Sequence, residues 1–279
     1  MTLPALITAT PWEGLRSFTD ARIALGRAGV SQPTVAHLAF QLAHAQARDA
    51  VHLPLDAHGL AASLESQGLP TLMLQSQAAD RTTYLQRPDL GRRLDAASLE
   101  TLTLWQSGRT AQNFDVAFVV VDGLSPLAIH QNALPFVSVM LQRLAHDAAN
   151  TWTVAPFTVV SQGRVAVGDE VGEQLRAKLV VVLIGERPGL SSPDSMGLYI
   201  TWQPKVGTTD AARNCISNVR PAGLSVDAAT LTLHQLMTQA RAKRLTGVGL
   251  KDDVDHQIAC NAEAASVPDS SALWPRVTR

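Results

Sequence analysis

Lysine is scarce in this chain. Only 4 of its 23 basic side chains are lysine, and 24 acidic side chains offset the basic ones to leave a net charge of −1. A general nucleic-acid binder carries a basic excess that displaces the counterions of the phosphate backbone, so that class is excluded. Cysteine is scarcer still. Cys215 and Cys260 are too few for a disulfide framework and suit a reducing cytosol. Long apolar runs are missing: Val116–Val121 and Leu179–Ile184 are the longest, where a membrane helix needs about 20 apolar residues. Met1 to Thr10 lacks the basic stretch that precedes the apolar part of a signal peptide. No Gly-x-Gly-x-x-Gly follows a strand and there is no Walker A loop, which argues against the usual dinucleotide and P-loop sites. The chain is 46% apolar, which rules out wholesale disorder. The expectation is a cytoplasmic protein with neither nucleic acid nor membrane as partner.

What is present describes a fold. The 279 residues suit one large domain or two small ones and can bury a full core. The first hundred residues read as helical. Leu15, Phe18 and Ile23 suggest a helix over Trp12 to Leu25, broken by Gly26 and Gly29. Pro33 restarts a helix that runs to about Val51, and further helices are expected over 56–67 and 95–106. Thr71–Leu74 is a candidate short strand. At Asp115 the pattern changes. Val116–Val121 is continuous, β-branched and apolar, as in a strand buried on both faces. Ser125 and Pro126 then open a long helix to about His146. Strands are expected at Thr153–Val160, Leu179–Ile184 and Leu198–Trp202, and helices at Asp169–Ala177 and Val226–Lys243. Alternating strands and helices imply an α/β fold with a doubly wound, mainly parallel, Rossmann-like sheet and an N-terminal helical region. Three parts are expected: 1–100 helical, 101–251 Rossmann-like, and 252–279 a polar, weakly ordered tail. Such sheets bind ligands beyond the carboxyl ends of their strands. Loops 122–125, 162–167 and 185–189 fall there.

Several residues could carry chemistry. Ser125 at a strand end could present a helix N-terminus to an anion, or simply cap the helix. Two turns, roughly 10.5 Å of rise, separate His37 from His44, which is too far for one ion to be shared along a helix. Asp56-Ala57-His58-Gly59 approaches the Asp-x-His-x-x-Gly signature of corrinoid proteins that supply a histidine to cobalt. Ala61 stands where the glycine should be, and the segment reads as helix, so it is rejected as a cobalt ligand. Glu186 follows a buried strand. A carboxylate there can accept hydrogen bonds from ligand amides, pair with Arg187, or cap its own loop. Cys215 as a nucleophile would need a histidine or a helix N-terminus nearby.

Longer segments carry a resemblance. Phe18–Gly29, Gln41–Asp49, Tyr84–Leu94, Asp122–Ser125, Gly185–Leu190 and Cys215–Asn218 are ordered over about Trp12 to Lys251. Together they make the chain resemble the small (light) subunit family of ethanolamine ammonia-lyase. That resemblance implies adenosylcobalamin as cofactor, conversion of ethanolamine to acetaldehyde and ammonia, and a TIM-barrel large subunit that holds the catalytic residues, six large with six small. The small subunit would be non-catalytic and would contact the cofactor with its dimethylbenzimidazole still on cobalt, in keeping with the rejected cobalt-histidine motif. The family's cofactor contacts carry over to Val165, Glu186 and Cys215, with no metal ligand in this chain. Some members carry an N-terminal extension that addresses them to a bacterial microcompartment. About eleven residues precede Trp12 here, which leaves that address open. The alternative is a free-standing α/β protein, either a nucleotide-binding module using the Ser125 helix end or a Cys215-dependent hydrolase.

Overall fold

A strand with six consecutive apolar residues must be covered on both faces along that run, and the sheet is arranged around two such runs, Val116–Val121 and Leu179–Ile184. In the computed structural model the described residues are 7–107 and 113–250. The chain divides into two compact units, one containing the residues up to Gln46 and the other beginning at Ala47. In the first, Thr8 and Arg27 form an antiparallel bridge, and α1 (Thr34–His52) begins after Pro33. The helix expected over Trp12 to Leu25 is instead a 3-10 segment, Glu13–Phe18, followed by extended backbone at Thr19. It buries no residue and no side chain caps its start. An isolated helix of that length has nothing to offset the cost of nucleation.

The second unit holds the sheet. Its elements are α2 (Ala57–Ser66), β1 (Thr71–Gln75), α3 (Arg81–Gln86), α4 (Ala96–Ser107), β2 (Phe114–Val121), α5 (Pro126–Ala145), β3 (Phe157–Ser161), α6 (Val167–Gln174), β4 (Ala177–Gly185), β5 (Met196–Trp202), β6 (Arg213–Val219) and α7 (Val226–Lys243). Asp56, Asp80, Ser125 and Ser225 cap α2, α3, α5 and α7, each side chain accepting a first-turn N–H. The strand order is β1-β3-β2-β4-β5-β6. Val116, Phe118 and Val120 face a core shared with α2, α5 and α7. Their neighbours Ala117, Val119 and Val121 face a second core, with Leu102 of α4 and Val171 of α6. Phe118 and Phe157 stack with ring centroids 5.5 Å apart.

The α/β class is observed, but the sheet departs from a doubly wound, Rossmann-like one. β1, β3, β2 and β4 are parallel, whereas β5 runs antiparallel to β4 and β6 antiparallel to β5. A parallel return needs a crossover of a dozen or more residues, usually a helix. The connection 186–195 contains Pro188 and Pro193 and a tight Gly189–Ser192 bridge, so it brings the chain straight back. The polar segment Arg213–Val219 has no apolar run to mark it, yet it forms the edge strand β6. The tail expected from Asp252 lies outside the described residues.

Candidate functional site

The carboxyl ends of β2 and β4 open onto a cleft of about 1020 Å³ within the second unit. Its lining includes Leu124, Val165, Ile184, Glu186, Tyr199 and Thr208. Leu124, Val165 and Glu186 come from the three strand-end loops in which a ligand was expected.

Asp122 organises two of these loops. It is the first residue after β2 and is 1% exposed. Its carboxylate accepts N–H hydrogen bonds from Gly123 at 2.9 Å, Gln162 at 2.8 Å and Gly163 at 3.1 Å. Burial pushes its carboxyl up to about 6, against these donors and the Arg81 guanidinium 3.8 Å away. Gln162 sits in the left-handed region at φ 55°, so the loop carrying Val165 is held in a strained form. Gly123, at φ 59°, leaves no room for a side chain: a Cβ would lie 2.2 Å from the Gly185 carbonyl oxygen. The two strand-end turns therefore touch backbone to backbone, and the Leu124 N–H donates to that same carbonyl.

One wall of the cleft is Tyr84, fully buried. The guanidinium carbons of Arg164 and Arg81 lie 4.0 Å and 4.7 Å from its ring centroid. Arg164 also donates to the Tyr84 carbonyl at 3.0 Å. Burial raises the Tyr84 phenol well above its ordinary range. Tyr199 of β5 and Val206–Asp210 of the β5–β6 connection also line the cleft, and Tyr199 pairs in register with Cys215 of β6.

Glu186 is half-buried and belongs to the cleft lining. Ser195 Oγ donates to its Oε2 at 2.5 Å, Ser217 Oγ to its Oε1 at 2.5 Å, and the Asn218 N–H to Oε2 at 3.2 Å. Arg187 is exposed and, among the described residues, makes no ion pair with it. Of the roles open to Glu186 from sequence, bonds within the chain are thus present, and they join the β4–β5 connection to β6. Val165 is half-buried at the foot of α6, in the lining. Cys215 is exposed and hydrogen-bonded to Tyr199, and so adjoins the cleft through that side chain.

The thiol of Cys215 is raised, chiefly by desolvation and then by the nearby Glu186 carboxylate, against the Tyr199 hydrogen bond. No histidine among the described residues is hydrogen-bonded to it. An activated nucleophile has the opposite features. Ser125 is fully buried: it caps α5 and donates to the Pro193 carbonyl oxygen at 2.7 Å, so the connection after β4 covers that helix start. The Asp56–Gly59 segment opens α2, with Asp56 as its cap. No group of three or more His, Cys, Asp or Glu side chains is placed to hold a metal ion among the described residues. No helix among them is long and apolar enough to cross a membrane.

Sequence reading did not single out Asp122, Tyr84, Tyr199, Ser195 or Ser217. Asp122 had a signal: a charged residue directly after a fully apolar strand must be satisfied locally. The two serines had none, because their partner Glu186 is 9 and 31 residues away.

Comparison with known proteins places the chain. A family model described as ethanolamine ammonia-lyase light chain (EutC) matches residues 9–251. Proteins named ethanolamine ammonia-lyase small subunit are similar over most of their length. The one from Azotobacter vinelandii is 57% identical over 248 residues, 89% of this chain and 90% of its own. That from Ralstonia nicotianae is 57% identical over 249 residues, 89% and 91% of the two chains. That from Pseudomonas fluorescens is 54% identical over 265 residues, 95% of each.

Proposed function

The chain belongs to the ethanolamine ammonia-lyase light-chain family, and from that premise we propose that it is the small subunit of an adenosylcobalamin-dependent lyase converting ethanolamine to acetaldehyde and ammonia. In this reading its work is to bind the cofactor against a large catalytic subunit, and it contributes no catalytic residue of its own. The observation that carries the assignment to a site is convergence. Val165 and Glu186 line one cleft, and Cys215 reaches that cleft's wall through Tyr199.

The residues suit such a cofactor. A corrin is a broad, largely apolar ring fringed with amide groups, and its nucleotide tail carries one phosphate. The cleft offers an apolar surface at Leu124, Val165 and Ile184, a carboxylate acceptor at Glu186, and the exposed Arg187 on its rim. Val165 offers backbone groups and an apolar contact, Glu186 accepts from amide or hydroxyl groups, and Cys215 is a small, soft neighbour. When bound, the cofactor supplies a cobalt–carbon bond whose homolysis starts hydrogen abstraction from substrate. Binding would be base-on, as the family resemblance implies. The contacts proposed for this chain fall within residues 101–251. The expected assembly pairs six small with six large subunits in the cytoplasm or in an ethanolamine-utilisation microcompartment.

The test is reconstitution. The purified chain is combined with an ammonia-lyase large subunit, adenosylcobalamin and ethanolamine, and acetaldehyde is followed. Turnover that requires both chains is the expected result. Turnover by the large subunit alone, at the rate of the mixture, would overturn the assignment.

A further inference from the structure

A fault in the β5–β6 ladder shows how Glu186 is held. Met196 pairs with Val219 and Leu198 with Ile216. Gly197 therefore faces two residues, Ser217 and Asn218, which makes the end of β6 a β-bulge. Bulges turn a side chain away from the direction the ladder would give it. Asn218 takes the left-handed conformation at φ 62°. Its neighbours fix it there: Arg220 Nε donates to its Oδ1 at 2.8 Å, and the Leu224 N–H to its carbonyl at 2.8 Å.

The consequence is a fitted seat for one carboxylate. The bulge delivers both the Ser217 hydroxyl and the Asn218 N–H to Glu186. Ser195 supplies a third donor from the other side of the connection. Gly197 supplies space, because a Cβ there would stand 2.9 Å from Glu186 Oε1. A carboxylate has about four lone-pair positions. Three are met by this chain's own donors, and Glu186 still lines the cleft.

We propose that Ser217, presented by the bulge, is a positioning residue that holds Glu186 as an acceptor for an amide N–H group of the bound corrinoid. The proposal rests on the reading of Glu186 as a cofactor contact. An oxygen already surrounded by donors can take one more donor but has nothing to give a phosphate or a carbonyl. The group it recognises is therefore a hydrogen-bond donor, and the amide fringe of the corrin supplies N–H donors of that kind. Ser217 is exposed on an edge strand, so its hydroxyl can be removed without opening a cavity in either core.

The experiment uses the reconstituted two-subunit complex and titrates cyanocobalamin by equilibrium dialysis, with thermal unfolding measured in parallel. Loss of one of the three bonds that orient the carboxylate, at the ordinary net strength of a hydrogen bond, predicts that Ser217→Ala raises Kd about five- to tenfold. Ser217→Thr, which keeps the hydroxyl, should stay within about twofold of the parent. In a Glu186→Ala background, Ser217→Ala should add nothing. The proposal is overturned if Ser217→Ala lowers the unfolding temperature but leaves Kd unchanged, or if its effect persists in full without Glu186. Ser195→Ala gives a second, independent reading of the same seat. If Glu186→Ala itself leaves Kd unchanged, the cofactor-contact reading fails as a whole. If it raises Kd while both serine variants leave Kd unchanged, only the positioning role fails.

Discussion

Replacing Asp169 by alanine should damage the protein more than any exposed ion-pair deletion. Asp169, in the first turn of α6, meets Arg213 at the start of β6. Arg213 Nη1 and Nη2 reach Asp169 Oδ1 and Oδ2 at 2.5 Å and 2.6 Å. The side chains are 2% and 1% exposed. Arg213 also donates to Thr201 Oγ1 at 2.9 Å and to the Thr208 carbonyl at 2.7 Å. The pair thus ties β6, β5, α6 and the Thr208 rim of the cleft together. Asp169→Ala leaves a buried guanidinium with only the exposed Asp210 carboxylate, 3.5 Å from Nε, as counter-charge. Breaking a buried pair in this way costs about 3–5 kcal/mol. For a unit of this size, that corresponds to a fall in unfolding temperature on the order of 10 °C. The assay is urea unfolding followed by far-ultraviolet circular dichroism, with calorimetry for the temperature. The double replacement Asp169→Leu with Arg213→Met should recover most of the loss, because two apolar side chains leave no stranded charge. A loss below about 1 kcal/mol for Asp169→Ala would match an exposed pair and refute the argument. So would a double variant no more stable than the single.

Three further outcomes follow from named groups. For Asp122 the folded value is raised, to about 6, above the unfolded value of about 3.9. The folded state then holds the proton more tightly, so this group's stabilising contribution is full below about pH 4 and is lost as pH rises through 6; a carboxyl NMR titration with its midpoint below about 4 would contradict it. Asp147 has the opposite sign: the Trp152 indole N–H, with donors from His234 and Asn150, holds its carboxyl well below the usual range. Its contribution is present above about pH 4 and lost as pH falls through the folded value, so Asp147→Asn should flatten the acid limb of a stability–pH curve, and an unchanged acid limb would count against it. Cys215, with its thiol raised by desolvation, should alkylate more slowly at neutral pH than a free thiol despite its exposure; measured in a Cys260→Ser background, a rate equal to that of a small-molecule thiol would be the contrary result.

Local chemistry was enough to recover much of the fold. β2 and β4 were legible because an unbroken aliphatic run has no solvent face to offer. Ser125-Pro126 marked the start of α5, and the apolar spacing of Val226–Lys243 delimited α7 as observed. The strand-end loops at Val165 and Glu186 were legible for the same reason: they follow strands that could be placed. The Trp12–Leu25 segment misled, because helical spacing of three apolar residues says nothing about whether a surface exists to cover them.

Sequence by itself therefore determined the family, the α/β class and the place of the strand-end loops, since each depends on residues close together in the chain or on long ordered segments. Tertiary structure alone decided the direction of the last two strands, the bulge at Ser217–Asn218 and the seating of Glu186. Strand direction depends on whether a connection can hold a crossover helix, and a bulge depends on the register of two strands after they pair. The donors to Glu186 and Asp122 come from loops far apart in sequence, and no local spacing encodes a meeting that exists only once the sheet has formed.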